Sequence, residues 1–230
     1  MTAVLGQNPE AFIRANTRLE APPLVPEVRL HLASEVVPLW EATEEELAAK
    51  GLPPPFWAFA WAGGQALARY LLDHPEAVRG KRVLDFAAGS GLQGIAAKLA
   101  GARSVEAVEI DGFAAAACRL NAAANEVEIA VREEDIVGSP NPEAPKAHWD
   151  VVLAGDVCYE RPAAERIVAW LRGLAGGGCL VLLGDPGRTY LPRRGLERII
   201  AYGVKTSREL EDSDLRNAVV WKVEPEEAAG

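Results

Sequence analysis

The sequence predicts an α/β fold with a seven-stranded sheet, in which a C-terminal antiparallel hairpin extends five parallel strands and helices cover both faces. Short apolar, β-branched segments alternate with amphipathic helical segments from residue 64 onward, and this alternation is typical of a buried parallel sheet. A glycine-rich turn follows the first of these strands. The last two β-like segments are joined by too few residues for a crossover helix, so they must form a hairpin.

The N-terminal quarter of the chain precedes this regular pattern. Gly51 and the prolines at 53–55 interrupt any helix there, so we expect an N-terminal extension over residues 1–55 and a single domain over residues 56–230. Within the extension we predict a helix over residues 9–20, a strand over 31–37 and an acidic helical turn over 44–50.

The regular part yields its elements from periodicity and glycine punctuation. We predict helices over residues 64–72, 91–100, 113–125 and 163–174, and parallel strands over residues 82–86, 105–110, 128–132, 150–154 and 179–183. In the tail we predict a helix near residues 195–202 and then the two hairpin strands, residues 204–209 and 217–223. The acidic segment 210–214 joins these two strands.

The charge balance excludes some classes of partner. The 230 residues include 33 acidic and 24 basic side chains, for a formal net charge of −9. A protein with this deficit of Lys and Arg is poorly suited to bind nucleic acid non-specifically or to adsorb to an anionic membrane. Cationic protein segments would instead be attracted.

Cysteine and histidine usage points to a reducing compartment and away from metal chemistry. The three cysteines lack a C-x-x-C pair and lie in apolar or small-residue stretches, so we expect buried free thiols. No two histidines have metal-ligand spacing, so we expect no metal site. The chain also lacks a signal peptide or a long apolar run, and we expect a cytoplasmic protein. These scattered residues are Cys118, Cys158, Cys179, His31, His74 and His148.

The strongest local signal is the segment V-L-D-F-A-A-G-S-G-L-Q-G at residues 83–94. It runs from a strand through small residues into a helix, and Gly89, Gly91 and Gly94 match the loose dinucleotide pattern G-x-G-x-x-G. However, Asp85 ends the strand four residues before the first glycine. A pyrophosphate would gain nothing from this carboxylate, whereas the cationic amino-acid tail of S-adenosylmethionine would gain a favourable charge.

Two further carboxylates follow the next two strands. Glu109 can accept hydrogen bonds from both hydroxyls of a ribose, and Asp135 can accept one from an adenine amino group. Either residue alone is equally well explained as a solvated loop carboxylate. Together with Asp85 they place three carboxylates at three successive strand ends, which matches the three polar ends of S-adenosylmethionine and predicts it as the cofactor.

At these residues the sequence resembles the class I, seven-strand, Rossmann-like methyltransferases. More narrowly, it is similar to the lysine methyltransferases of the electron transfer flavoprotein beta subunit, from about residue 17 onward. Ala87 and Ala88 depart from the usual loop, which more often has glycine or serine, but alanine keeps the approach to a ligand open. The more specific segments are W-A-F-A-W-A-G-G-Q-A-L at residues 57–67, G-D-V-C-Y-E at 155–160 and G-D-P-G-R at 184–188.

The resemblance implies roles for individual residues. Asp156 and Tyr159 would face the transferred methyl group as catalytic residues, with Asp156 attracting the amine and Tyr159 narrowing its channel. Trp61 would cover the cofactor, although Trp57 and Trp61 are equally well explained as core packing. Arg188 would either help to wall the site or form a surface ion pair. The expected cofactor-binding residues are Trp61, Asp85, Ala87, Gly89, Gly91, Glu109, Ile110, Asp135 and Gly155.

The resemblance also implies an activity. We expect a monomeric, S-adenosylmethionine-dependent protein-lysine N-methyltransferase that acts on the electron transfer flavoprotein beta subunit, with residues 1–55 packing on the core and the substrate side. Two alternatives keep the cofactor but replace the substrate by a small, nicotinamide-like amine or by a ribosomal protein. A third is a non-enzymatic, cofactor-binding regulatory protein. A nucleotide-dependent reductase is disfavoured by Asp85 and by the C-terminal hairpin.

Overall fold

The computed structural model of the protein describes residues 8–33, 54–141, 149–206 and 213–226. Short 3-10 turns at Phe56–Ala58 and Pro75–Ala77 flank the second helix. The helices are α1 (Pro9–Asn16), α2 (Ala62–Asp73), α3 (Leu92–Leu99), α4 (Gly112–Ala124) and α5 (Ala163–Gly176). The strands are β1 (Arg18–Glu20), β2 (Leu30–Leu32), β3 (Arg82–Phe86), β4 (Ser104–Glu109), β5 (Ala130–Glu133), β6 (Val151–Gly155), β7 (Leu180–Asp185), β8 (Leu196–Lys205) and β9 (Leu215–Val223).

Seven of these strands form one sheet in the order β5-β4-β3-β6-β7-β9-β8. Strands β3 to β7 pair in parallel, whereas β9 pairs antiparallel with both β7 and β8. The predicted fold class is therefore confirmed. The chain moves outward from β3 to β5 and then returns to place β6 beside β3, so the strand order reverses there. Open parallel sheets bind ligands in the crevice at such a reversal, outside the carboxyl ends of the strands.

Helices cover both faces of the sheet, each over its own apolar cluster. On one face, α5 places Trp170 against Phe86 with ring centroids 4.8 Å apart, and Leu171 is fully buried beside them. On the other face, α2 buries Leu67 and Leu71 against strands β6 and β7. This two-sided burial explains why β3, β6 and β7 are almost continuously apolar in sequence.

The structure corrects the tail. The helix predicted near residues 195–202 is wrong, because β8 runs from Leu196 to Lys205 and pairs with β9 along that length. The pairing includes a register irregularity between Arg198 and Ile200, which disturbs the alternation that would have identified a strand. Tyr202 on this strand also donates a hydrogen bond to Asp73 of α2, at 3.2 Å, and so ties the hairpin to the helical layer.

The N-terminal helix is also shorter than the predicted range of residues 9–20. Helix α1 ends at Asn16, and Arg18–Glu20 then pairs antiparallel with Leu30–Leu32 in a small separate sheet. The β-branched Thr17 adopts an extended conformation at the end of the helix, which suits the start of a strand. Phe12 of α1 packs edge-on against Phe113 of α4, with centroids 5.5 Å apart.

Some N-terminal predictions lie outside the described residues. These include the acidic turn over 44–50 and the part of the predicted strand beyond residue 33. The division of the chain between residues 55 and 56 stays a prediction.

Two further predictions concern free thiols and membrane-spanning segments. All three cysteines are buried and free, as expected. Within the described ranges, no helix combines the length and the apolar character needed for a bilayer-spanning segment.

Candidate active site

A cavity of ≈ 340 Å³ opens at the carboxyl ends of β3, β4 and β6, where the strand order reverses. The loop after β3 forms its floor, and the aromatic residues before α2 form one wall. Most cofactor sites are concave, largely apolar and close to this volume or larger. The cavity is therefore the candidate site, and most of the residues expected to bind the cofactor line it.

The glycine loop presents its backbone to the cavity. Ala87, Gly89 and Gly91 have φ angles of 49°, 56° and 78°, in the left-handed region that disfavours larger side chains. A Cβ at Gly89 would meet no described atom within 4 Å, whereas one at Gly91 would lie 3.3 Å from Cys118. Gly89 thus leaves its backbone open to a ligand, and Gly91 is required for packing against α4.

Glu109 at the end of β4 is held in place by the backbone. Its Oε1 accepts a hydrogen bond from the Gly89 N–H at 2.5 Å, and its Oε2 accepts one from Ile110 at 3.2 Å. The carboxylate lines the cavity and keeps lone pairs free for two hydroxyl donors. Burial raises the pKa of Glu109 to about 7, although the hydrogen bond from Gly89 opposes that shift.

This pKa predicts a pH-dependent affinity. A protonated Glu109 loses the charge that strengthens bonds from ribose hydroxyls, so the Kd of S-adenosylhomocysteine should rise as the pH falls below 7, by at most about tenfold per pH unit and towards the Kd of a variant with an uncharged side chain at this position. Above pH 7 the Kd should be constant. Calorimetric titration between pH 5.5 and 8.5 measures this profile. The Glu109→Gln variant should bind weakly with a flat profile, and a wild-type profile that is itself flat would contradict the prediction.

Asp85 lies beneath the site rather than on its wall. It is fully buried, and its Oδ2 accepts a hydrogen bond from the Gly94 N–H of α3 at 2.8 Å. Burial raises its pKa well above the usual value, and its Oδ1 has no hydrogen-bond partner among the described residues. Asp85 is not one of the described residues that line the cavity, so its predicted contact with the cofactor stays a prediction.

Asp135 and Ile110 lie at the cavity rim. Asp135 follows β5, accepts a hydrogen bond from Val137 at 3.0 Å and forms an ion pair with Arg166 at 3.6 Å. Ile110 is half-exposed and presents an apolar surface at the cavity rim. Both residues line the cavity with Glu109, so the structure brings these three predicted residues together.

Sequence reasoning missed Gln93 and Asp111. Gln93 is 5% exposed and lines the cavity, and its Oε1 has no hydrogen-bond partner in the described part of the chain. A buried acceptor without a partner costs free energy, and an ammonium donor of a bound cofactor would satisfy it. Asp111 also lines the cavity and caps α4 through the Phe113 and Ala114 N–H groups. The signal for Gln93 was a polar residue within the apolar start of α3.

Gly155 at the end of β6 permits a close approach of three elements. A Cβ there would lie 2.7 Å from the Gln93 amide nitrogen and 3.0 Å from the Gly64 Cα. Glycine therefore lets the start of α2 and the Gln93 side chain reach the end of the strand. This contact sets the position of Gln93 in the cavity wall.

Asp156, directly after β6, is anchored on both carboxylate oxygens. Its Oδ2 accepts a hydrogen bond from the Gly64 N–H at 2.7 Å. Its Oδ1 accepts from the Nε and Nη2 of Arg188, at 3.0 and 2.7 Å. An aspartate shortly before a helix can also serve as its cap, but within the described residues α5 has no side-chain cap, so Asp156 does not have that role.

Aromatic rings form the wall beside Asp156. Trp61 donates its indole N–H to the Phe56 carbonyl at 2.9 Å, and the Arg188 guanidinium carbon lies 5.4 Å from the centre of its ring. Tyr159, 46% exposed, packs edge-on against Phe56 at 5.2 Å. Trp57 instead is 1% exposed and stacks on Phe113 at 6.3 Å. Both residues line the cavity, but Trp57 is buried and also packs in the apolar core cluster, whereas Trp61 stays partly exposed.

This placement predicts that Trp61→Ala weakens cofactor binding by about tenfold. The variant removes the aromatic wall that shields the ligand and that contacts the Arg188 guanidinium. Circular dichroism should show an intact fold, since the Trp61 side chain is only partly buried. Calorimetric titration with S-adenosylhomocysteine measures the effect. Trp61→Phe is the matched control and should retain most of the affinity, whereas an unchanged Kd in Trp61→Ala would disprove the cofactor-covering role.

In the described ranges, no group of three or more His, Cys, Asp or Glu residues is placed to hold a metal ion. The polar groups of the cavity include the anchored carboxylate of Glu109, the carboxylate of Asp156 and the amide acceptor of Gln93. These residues fit S-adenosylmethionine, whose hydroxyls, sulfonium and ammonium are complementary to them.

Comparison with known proteins supports this assignment. A protein from Xenopus laevis named electron transfer flavoprotein beta subunit lysine methyltransferase is 36% identical over 223 residues, covering 94% of this chain and 87% of that protein. The human protein of the same name is 35% identical over 228 residues, covering 94% and 82%. Residues 66–156 also match the family described as ribosomal protein L11 methyltransferase (PrmA).

The solved structures agree on the fold. A structure from Thermoplasma acidophilum superposes with a TM-score of 0.51 at 17% sequence identity, covering 70% of this chain and 89% of that chain. A likeness at this identity supports the sheet topology and carries no information about the substrate.

Proposed function

The chain belongs to the family of electron transfer flavoprotein beta subunit lysine methyltransferases, and on that premise we propose that it methylates lysine side chains of an electron transfer flavoprotein beta subunit. The methyl donor of this enzyme is S-adenosylmethionine. The observation that supports the proposal best is that one cavity presents both Glu109 and Asp156, and that the Arg188 guanidinium bound to Asp156 lies over the Trp61 ring. A ribose and a cationic amine need these two environments.

The chemistry of the transfer sets the demands on the site. When bound, S-adenosylmethionine supplies a methyl group on a sulfonium, and the amine lone pair forms the C–N bond while the C–S electron pair stays on sulfur. A lysine arrives protonated, so its proton must leave before the attack. Asp156 attracts and orients the amine. Tyr159 and the neighbouring rings narrow the channel and hold the amine near the in-line geometry that such displacements need.

The remaining expected residues have roles that follow from their positions. Glu109 accepts bonds from the ribose hydroxyls, and the backbone of Ala87 and Gly89 lies along the cofactor. Asp135 accepts from the adenine amino group above Ile110. Gln93, beside Gly155, accepts from the ammonium group, and Asp85 fixes the start of α3 beneath it through Gly94.

The wider setting is part of the same proposal. The enzyme acts as a cytoplasmic monomer on a protein, and binds neither nucleic acid nor membrane, in keeping with its net charge of −9. Residues 1–55 form the extension that packs on the core and the substrate side, and residues 56–230 form the catalytic domain. The ribosomal-protein alternative is not favoured, because relatives named as electron transfer flavoprotein beta subunit lysine methyltransferases match 94% of this chain, whereas the L11 methyltransferase family matches residues 66–156.

The test is direct methylation with labelled S-adenosylmethionine. The purified protein is mixed separately with an electron transfer flavoprotein beta subunit, with ribosomal protein L11 and with nicotinamide. We expect label on lysines of the beta subunit, located by mass spectrometry. Label only on L11 or only on nicotinamide would replace the proposed substrate. No label on any substrate despite calorimetric binding of S-adenosylhomocysteine would favour a non-enzymatic cofactor-binding protein.

A further inference from the structure

Arg188 of this chain fills the position that the proposed function gives to the target lysine. Its guanidinium donates to Asp156 Oδ1 from Nε and Nη2, at 3.0 and 2.7 Å. The same group lies over the Trp61 ring at 5.4 Å. A carboxylate and an aromatic face are what a lysine ammonium needs, and here they hold a cation that belongs to the protein.

The cation is well shielded. The side chains of Arg188 and Asp156 are only 18% and 9% exposed, so their attraction is weakly screened by solvent. The other carboxylate oxygen is occupied by the Gly64 N–H at 2.7 Å. A lysine ammonium entering beside the guanidinium would share one carboxylate with a like charge and would lose its own hydration. The two cations therefore compete for the same place.

Arg188 also separates two cavities. It lines the ≈ 340 Å³ cavity and a second cavity of ≈ 190 Å³, and Tyr159 lines both as well. The second cavity is bounded further by residues 186–187, Thr189 and Arg216. The Arg188 side chain thus forms part of the partition between the cofactor chamber and this second space, which provides room for it on the other side.

The backbone beneath this side chain is fixed. The fully buried Asp185 accepts hydrogen bonds from the Gly187 and Arg188 N–H groups through its Oδ1, each at 2.7 Å. Gly187 has a φ of 89°, which makes the tight turn possible. A change in the guanidinium position therefore needs only rotation about the side-chain bonds of Arg188, without movement of the loop.

From these contacts we propose that Arg188 is an internal stand-in for the substrate's ammonium group. It occupies the cation site formed by Asp156 and Trp61 until the target lysine displaces it into the ≈ 190 Å³ cavity. This proposal rests on the proposed function for the identity of the incoming group. It makes Arg188 a specificity-determining residue, since only a cation that competes with a guanidinium for the carboxylate and the ring can enter.

The first test measures binding of small cations and needs no protein substrate. The probes are n-butylammonium and ethylguanidinium, added at pH 8 to enzyme saturated with S-adenosylhomocysteine and followed by saturation-transfer NMR. We expect the Arg188→Ala variant to bind both probes at least tenfold more tightly than wild type. Arg69→Ala is the matched control, because Arg69 is also 18% exposed and holds two carboxylates, Glu27 and Asp73. It should bind the probes as wild type does.

The second test separates a stand-in from a positioning residue. With a methyl-accepting protein, Arg188→Ala should show a lower KM for that protein, and ethylguanidinium should inhibit the variant competitively while leaving wild type unaffected. A fall in kcat that ethylguanidinium restores would overturn the proposal, because the cation would then be needed during transfer. Probe binding equal to wild type in folded Arg188→Ala would overturn it as well. Arg188→Gln, which keeps a donor near Asp156, replaces the alanine variant if that variant unfolds.

Failure of this inference and failure of the proposed substrate give different results. If the beta subunit is not methylated, the binding measurements still decide whether Arg188 masks a cation site. If the beta subunit is methylated and the variant binds neither probe more tightly, the methyltransferase assignment stands and the role of Arg188 is wrong.

Discussion

The Asp156→Asn variant is expected to keep its fold and its cofactor affinity but to lose about 100-fold in kcat with the protein substrate. In the proposed function the Asp156 carboxylate attracts the lysine ammonium and fixes the amine after its proton leaves. A misplacement of about 1 Å at a reacting centre costs about 100-fold in rate. A neutral amide holds the amine less tightly and cannot attract its charged form.

Asparagine is the informative replacement because the backbone at this position is unusual. Asp156 has a φ of 58°, a conformation that asparagine tolerates better than most residues. The amide oxygen can still accept the hydrogen bond from the Gly64 N–H, so the link to α2 survives. Two things change, the charge and the group that faces Arg188, because an amide nitrogen cannot accept from the guanidinium as Oδ1 does, and the Arg188 variants separate the two effects.

The measurement is steady-state methylation together with calorimetric binding of S-adenosylhomocysteine. Asp150→Asn is the matched control, because Asp150 also pairs with an arginine, Arg82, at 3.2 Å but precedes β6 instead of following it. The control should lose stability and keep the wild-type kcat. An Asp156→Asn variant that methylates at the full rate with unchanged cofactor affinity would show that Asp156 does not position the lysine.

Comparison with the Arg188 variants separates two roles of this ion pair. If Asp156 served only to hold Arg188, the Asp156→Asn and Arg188→Ala variants would lose similar amounts of activity and the double variant no more. The proposed roles predict instead that only the Asp156 variant loses kcat. Residues in direct contact are the ones whose effects are not additive, so the double variant is a necessary part of the experiment.

The sequence predicted the sheet and its site because the signals for both are local. The G-x-G turn after β3 and the carboxylates at strand ends need only the order of elements, since parallel strands end at a common edge. Glu109 and Asp135 therefore lie where they were expected. The strand β8 was mistaken for a helix because its pairing with β9 is non-local and its register irregularity obscures the alternation.

The detailed contacts of the site depend on side-chain direction and on distant loops. The contact of Asp85 with the cofactor stays a prediction, but its Oδ2 also accepts a hydrogen bond from the Gly94 N–H of α3, and the sequence did not indicate that contact. Position at a strand end does not by itself settle this. The pair of Asp156 and Arg188 joins residues 32 apart in sequence through two turns, and no periodicity in either segment indicates the contact.

The Gly184→Ala variant is expected to lose about 3 kcal/mol of folding free energy, at the upper end of the usual cost of overpacking. A Cβ at Gly184 would lie far inside van der Waals contact with the Gly63 carbonyl oxygen and 3.1 Å from the Leu67 Cβ. The clash is with backbone, in a sheet and a helix that both belong to the core, so neither side can yield cheaply. For a chain of this size the loss corresponds to a fall in Tm of about 6–12 °C.

Gly173→Ala is the matched control for this variant. Gly173 lies within α5, and a Cβ there would meet no described atom within 4 Å, so the change should raise stability by up to about 1 kcal/mol through helix propensity. Scanning calorimetry of both variants and wild type measures the difference. Equal Tm values for Gly184→Ala and Gly173→Ala would contradict the close packing of α2 on β7.

The Gly184 substitution should also affect catalysis, because α2 connects Gly63 to the hydrogen bond that holds Asp156. Gly63 and Gly64 begin α2, and the Gly64 N–H holds Asp156 at 2.7 Å. Any shift of α2 that relieves the clash at Gly63 must lengthen this bond and release one oxygen of the carboxylate. We therefore expect the protein that stays folded below the lowered Tm to show a reduced kcat, with cofactor affinity less affected, because Glu109 is held by β4 and the glycine loop. A variant that lost stability but kept the wild-type kcat would show that α2 does not position Asp156.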